Sequence, residues 1–211
     1  MQINQVVCGD CADVMATFPD EYIDLTVTSP PYDNLRTYNG YNFNFEKIAQ
    51  QIFRVTKQGG VLVWVVADQT INGSESGTSF KQALFFKEIG FNLHDTMIYL
   101  KDQLAFPDSN RYHNGFEYMF VLSKGRPKTF TPIKDHKNKG HGRIVHGNER
   151  GKDGSLSKTK SCAGNICPEY SNRFNYWTIY NQQRGEHTQK HPATFPERSE
   201  EHTSELQSPN T

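Results

Sequence analysis

Ser29-Pro30-Pro31-Tyr32 is the stretch of this sequence where groups able to do chemistry come closest together. Neither proline has a backbone N–H, and each fixes its φ at about −65°. The segment therefore presents carbonyl acceptors with few competing donors. An exocyclic amino group placed against it would donate to Ser29 Oγ and to the Pro30 carbonyl. Those bonds would aim the nitrogen lone pair at an incoming electrophile, while Tyr32 offers a flat face on which a base can stack. An aromatic amine is a weak nucleophile, so positioning and electrostatics must do most of the work. A base inside a duplex has to be flipped out to reach such a pocket. A Pro-Pro pair also ends ordinary strands. Its weight here comes from its place, directly after the β-branched run Ile23–Thr28 and downstream of Gly9-Asp10.

Those residues need a scaffold, and the hydrophobic pattern outlines one. Ile3–Val7 reads as a short strand and Ala12–Thr17 as a short helix stopped by Pro19-Asp20. Ile23–Thr28 reads as a strand, and Phe45–Thr56 as a helix closed by Gly59-Gly60. Val61–Ala67 is an unbroken apolar run, suited to a strand covered on both faces. Ser79–Ile89 is a further helix ended by Gly90, and Asp95–Leu100 and Phe116–Leu122 are two more strands. This alternation predicts a three-layer α/β domain with a largely parallel sheet. Ligands of such sheets bind beyond the carboxyl ends of the strands. Asp10, Ser29–Tyr32 and Asp68 all fall at that edge.

Beyond Leu122 the character changes. The chain as a whole has 23 basic and 23 acidic residues, yet Lys124–Lys160 holds eight Lys, three Arg and three acidic residues, a balance of +8. A basic block in an otherwise acidic chain suggests a local polyanion contact, although the same composition also suits a solvated loop. Asn175–Tyr180 recovers some strand character. No apolar run reaches the roughly 18 residues of a membrane span, and the N-terminus is no secretory signal. A cytoplasmic protein with reduced thiols is expected. Cys8, Cys11, Cys162 and Cys167 have only loose zinc-ligand spacing, so buried free thiols are expected and no metal site.

On the residues quoted, the chain resembles the β group of amino-methyltransferases acting on DNA, the permuted group whose catalytic motif precedes the cofactor glycines. Ser29-Pro30-Pro31-Tyr32 matches the family's Ser/Asp/Asn-Pro-Pro-Tyr tetrad, and Cys8-Gly9-Asp10 its early Gly-Asp. Asn110-Arg111-Tyr112 and Phe116-Glu117-Tyr118 are similar to the later strand pair, and His191–Glu197 to the segment before the cofactor loop. The resemblance covers Met1–Glu197. It implies a Rossmann-like, S-adenosylmethionine-dependent methyltransferase sheet with a basic target-recognition insertion. Ser29, Pro30, Pro31 and Tyr32 would then be catalytic. Asp10, His191, Pro192, Thr194 and Phe195 would meet S-adenosyl-L-methionine. Tyr112, Phe116 and Tyr118 would line the base pocket, and Arg36, Arg111, Lys134, Lys137, Lys139 and Arg143 would touch DNA. Ser in the tetrad favours cytosine N4 over adenine N6.

The implied organisation is a catalytic part over 1–123, a target-recognition region over 124–190 and the start of the cofactor part over 191–197. Arg198–Ser208 matches one reading frame of a common short-read sequencing adapter, codon for codon, so 198–211 is read as an artefact. The family's Asp-Pro-Phe-x-Gly-Ser-Gly-type loop has no counterpart in this sequence. The expectation is therefore an inactive fragment of an incomplete sheet. The implied partners are double-stranded DNA with a flipped base and a cognate restriction endonuclease for the same site, in a bacterial or phage setting. An RNA or protein-glutamine methyltransferase shares the Pro-Pro-Tyr chemistry. A reading of another class is a non-catalytic nucleic-acid module stapled by zinc. Carbon-5 cytosine chemistry is disfavoured, since no cysteine follows a proline at a strand end.

Overall fold

A computed structural model of the chain describes residues 4–32, 43–101, 109–158 and 164–179. Asp10 starts the first helix, α1 (Cys11–Ala16), by accepting from the N–H groups of Ala12 at 3.0 Å and Asp13 at 3.2 Å. The β-branched run follows as β1 (Ile23–Thr28). Asn44 caps α2 (Phe45–Val55), which runs straight into the long strand β2 (Thr56–Val66). A short hairpin of β3 (Thr70–Ile71) and β4 (Ser74–Glu75) leads to α3 (Thr78–Glu88). Then come β5 (Asn92–Lys101) and β6 (Phe116–Ser123). Gly90 makes the turn from α3 at φ 117°, and a Cβ there would meet the Phe53 ring at 2.8 Å.

Four short strands come next: β7 (Lys134–Lys137), β8 (Asn148–Arg150), β9 (Leu156–Lys158) and β10 (Tyr170–Asn172). β11 (Tyr176–Ile179) then returns to the main sheet, whose order among the described strands is β1-β2-β6-β5-β11. The β1–β2 and β11–β5 pairs are parallel, and β6 runs antiparallel to both β2 and β5. The sheet is thus mixed where the alternation predicted a largely parallel one. The chain turns back after β5 and inserts β6 between β2 and β5. No periodicity within a single segment reports that reversal.

One face of this sheet carries Leu62, Trp64, Val66, Phe120 and Leu122 and buries Ala12, Ile48, Ile52 and Phe86 of the three helices against it. Trp64 is fully enclosed and donates its indole N–H to Gln82 Oε1 at 2.8 Å, so its burial leaves no polar atom stranded. Among the described residues all three helices serve that face, giving two layers where three were expected. Of the expected Ile3–Val7 strand, the described residues 4–7 do not take strand structure, and Val6 and Val7 lie in solvent.

The main unit comprises Met1–Thr131 and Asn175–Thr211, and a second compact unit comprises Pro132–Phe174. Within the second, β7 pairs antiparallel with β10, and β8 with β9. Arg173 clamps Asp135 at 2.6 Å, which holds the Asp135 carboxyl below its ordinary range. The block that reads as irregular in the sequence therefore contains two small ribbons.

Candidate catalytic edge of the sheet

Parallel pairing sets the site. Thr28, the last residue of β1, stands beside Trp64 of β2, so Ser29 and Asp68 leave the sheet at the same edge. β6 runs the other way and begins there, with Phe116 opposite Leu100 near the end of β5. Residues far apart in sequence are gathered by this topology at one edge: Ser29–Tyr32, Asp68, Lys101 and Phe116–Tyr118.

Pro30 is buried, and Ser29, Pro31 and Tyr32 are half-buried. The Tyr32 ring packs on the apolar core. Its hydroxyl donates to Glu117 Oε2 at 2.6 Å and lies 2.8 Å from Ser29 Oγ. Lys101 Nζ pairs with the other oxygen, Glu117 Oε1, at 2.8 Å. Burial, then the charge and hydrogen bond of Glu117, push the Tyr32 hydroxyl far above the usual tyrosine range, so it stays protonated.

The residues flanking Glu117 on β6 belong to an aromatic cluster. Tyr118 meets Phe80 at 5.2 Å and Phe116 at 5.3 Å edge-on, and stacks on Phe120 at 5.4 Å. Phe80 and Phe116 are partly exposed, 49% and 40%, and so keep ring surface available to a ligand. Burial, followed by the charges of Glu75 and Asp68, raises the Tyr118 hydroxyl above its usual range.

Other expected site residues are placed differently. Tyr112 is fully exposed in the β5–β6 connection and does not join Phe116 and Tyr118. Its neighbour Arg111 donates to the Gly73 carbonyl. Asp10 has one carboxylate oxygen engaged in capping α1. Trp177 of β11 is buried in the sheet. Lys134, Lys137, Lys139 and Arg143 are exposed in the second unit. Arg36, His191, Pro192, Thr194 and Phe195 lie outside the described residues. Cys8 and Cys11 are exposed and Cys167 is half-buried, which corrects the expectation of buried thiols; Cys162 lies outside the described residues. Among the described residues no three His, Cys, Asp or Glu side chains group as metal ligands. The sequence reading gave no role to Phe80, Lys101 or Glu117. The Phe-Glu-Tyr string signalled Glu117, but its partner Tyr32 is 85 positions away.

A family model described as DNA methylase matches residues 23–204. The chain is 56% identical over 201 residues to an orphan methyltransferase, M.BamHII, of Bacillus amyloliquefaciens, covering 92% of this chain and 71% of that protein. It is 29% identical over 157 residues to a type II beta methyltransferase, M.BslI, of Bacillus sp. (strain NEB-606), covering 60% of this chain and 17% of that protein. Among solved structures, the PvuII DNA methyltransferase, named cytosine-N4-specific, superposes with a TM-score of 0.61 at 19% identity, over 95% of this chain and 69% of that one. That likeness establishes the fold as a Rossmann-like methyltransferase sheet. With the family model spanning most of the sequence and a relative more than half identical across it, the chain belongs to the DNA methylase family of N6 and N4 methyltransferases.

Proposed function

We propose that the described edge is the target-base side of an S-adenosylmethionine-dependent DNA methyltransferase acting on an exocyclic amine, with cytosine N4 preferred to adenine N6. The observation that carries the reading is the hydrogen-bonded set of Ser29, Tyr32 and Glu117 at the sheet edge where β6, which also carries partly exposed rings, begins. The oxygen acceptors suit an amine that donates, and the rings suit a flipped base. S-adenosylmethionine, when bound, supplies a methyl group activated by its sulfonium. The donor set fits that partner: this edge offers acceptors and aromatic faces for an amine nucleophile. Asp10, with His191, Pro192, Thr194 and Phe195, would hold the cofactor.

The chain's own residues then orient the reacting nitrogen. Ser29 Oγ and the Pro30 carbonyl accept its two N–H bonds, which leaves the lone pair facing away from the loop. The buried Pro30 and the core-packed Tyr32 ring keep that loop rigid, the geometric requirement for a near-attack arrangement. Exposed Lys134, Lys137, Lys139 and Arg143 supply phosphate contacts. Support for N4 comes from Ser29 in the tetrad and from the name of the PvuII enzyme. No helix among the described residues is long and apolar enough to cross a membrane. A bacterial cytoplasm, where DNA lies, is the setting we propose. A dedicated restriction endonuclease draws no support from M.BamHII, whose name calls it an orphan. The DNA methylase match favours DNA over RNA or a protein glutamine, and an enzyme over a zinc-stapled module.

Mass spectrometry of nucleosides from duplex DNA treated with labelled cofactor and a complete enzyme, residues 1–197 of this chain continued through a cofactor loop, tests this. N4-methylcytosine is expected. Methyladenine alone would reverse the choice of base, and no labelled base at all would remove the reading.

A further inference from the structure

We propose that Glu117 is a positioning residue that fixes Ser29 as a pure hydrogen-bond acceptor toward the target base, acting through the Tyr32 hydroxyl. The inference rests on the target-base reading of this edge and deepens it.

Two hydroxyl protons are shared among these three side chains. Glu117 is held by Lys101 at 2.8 Å, an ion pair that keeps the carboxylate acceptor-only. Tyr32 has one hydroxyl proton, and at 2.6 Å that proton points to Glu117 Oε2. The 2.8 Å contact between Tyr32 and Ser29 must then run the other way, with Ser29 donating. Each hydroxyl in the series Ser29, Tyr32, Glu117 gives its proton to the next. Ser29 is left with lone pairs alone for anything in the pocket. Pro30 and Pro31 add no N–H of their own.

Such a site recognises an amine and rejects a carbonyl. A base presenting N–H bonds satisfies Ser29 Oγ. A base presenting an oxo group at the same place sets acceptor against acceptor at Ser29, in a partly buried site. The chemical class selected is an aminated base edge, and the residue that sets the selection lies on β6, across the sheet from the tetrad. An isolated Ser29 hydroxyl would rotate and offer its proton or a lone pair to either kind of base. The burial of the Tyr32 hydroxyl supports the fixed direction, since it remains protonated across the working pH range.

Two measurements separate this relay from the methyltransferase reading. The first needs no turnover: NMR of the 211-residue chain labelled with ring-carbon-13 tyrosine, with Tyr32 assigned by its loss in Tyr32→Phe. Wild-type Tyr32 should remain protonated where exposed tyrosines ionise, and Glu117→Gln should bring its titration down toward theirs. A Tyr32 that titrates with the exposed residues, or that ignores Glu117→Gln, overturns the relay whatever the chain methylates. The second is methyl transfer to duplex DNA by a complete enzyme, residues 1–197 continued through a cofactor loop. Glu117→Gln should lower kcat about tenfold, the scale of one net hydrogen bond, with the KM for DNA little changed. In a Tyr32→Phe background the same substitution should add nothing. An equal loss in both backgrounds would make Glu117 only a structural mate of Lys101 and end the proposal. A wild type that transfers no methyl group counts against the methyltransferase reading, and the NMR result then decides the relay.

Discussion

Both carboxylate oxygens of Asp68 are held by Ser79: Oδ1 accepts its backbone N–H at 2.9 Å and Oδ2 its hydroxyl at 2.5 Å. Ser76 Oγ adds a third bond to Oδ1 at 3.1 Å. Asp68 leaves the end of β2 and fastens the first turn of α3, whose N-cap, Gly77, has no side chain to do so. Ser79 is fully buried. Asp68→Ala would leave its N–H and O–H unpaired and should cost about 2 kcal/mol, at the upper end of cap losses. Urea unfolding measures it. A midpoint unchanged from wild type would show that α3 is anchored elsewhere.

Lys124 opens the basic block by sequence, yet its ammonium group is enclosed. It donates to the carbonyls of Phe53 at 3.1 Å and Thr56 at 3.0 Å, pairs with Glu21 at 3.3 Å and lies 4.6 Å from the Phe53 ring centroid. It closes the C-terminal end of α2, where orphan carbonyls and the helix dipole favour a cation. Lys124→Met should destabilise the chain by about 2 kcal/mol, because buried acceptors lose their donor. The salt dependence of DNA binding should not change. A variant of normal stability with a shallower salt response would return Lys124 to the DNA surface.

These two residues show what a sequence reading reaches. The runs of β1, α2, β2, α3, β5 and β6 were legible because each is long and apolar with a clear period or none at all. The antiparallel entry of β6 was not, since strand direction depends on where a connection returns. The ribbons of the second unit were hidden for another reason: Lys134-Asp135-His136-Lys137 has no apolar alternation, and its pairing with Tyr170–Asn172 is a cross-strand property. In the site, Ser29–Tyr32 stood out through two prolines at a strand end. Glu117 completes it only because the sheet carries β6 to the edge where β1 ends. Tyr112, given to the base pocket by the resemblance alone, stands in solvent in the connection between β5 and β6.

The raised Tyr32 hydroxyl has a consequence for alkaline stability. The folded chain holds the proton more tightly than the unfolded chain, whose tyrosines ionise at about 10. Below that pH both states carry the proton, and the stabilising contribution is fully present. Above it the unfolded state releases the proton first, so stability falls as pH rises. Denaturant midpoints followed from neutral pH into the alkaline range should decline more steeply for wild type than for Tyr32→Phe. Parallel declines would show that Tyr32 keeps no tighter hold on its proton when folded.

The exposed cations of the second unit make the last prediction. Lys134, Lys137, Lys139 and Arg143 all face solvent. Asp135, an acidic residue among them, is bound to Arg173 at 2.6 Å, so its charge is partly offset where a phosphate would otherwise be repelled. Each phosphate neutralised on duplex DNA contributes about −0.9 to the slope of log K against log salt. Converting Lys134, Lys137 and Lys139 together to Gln should therefore flatten that slope by about 2 to 3 units if each lysine meets a phosphate. The change should be the same for DNA of any sequence, because phosphate contacts position the protein without reading bases. Fluorescence anisotropy of a labelled duplex, titrated between about 50 and 200 mM salt, gives the slope for both proteins. An identical slope in the triple variant would mean that DNA lies elsewhere and that the charge of this ribbon only keeps it solvated.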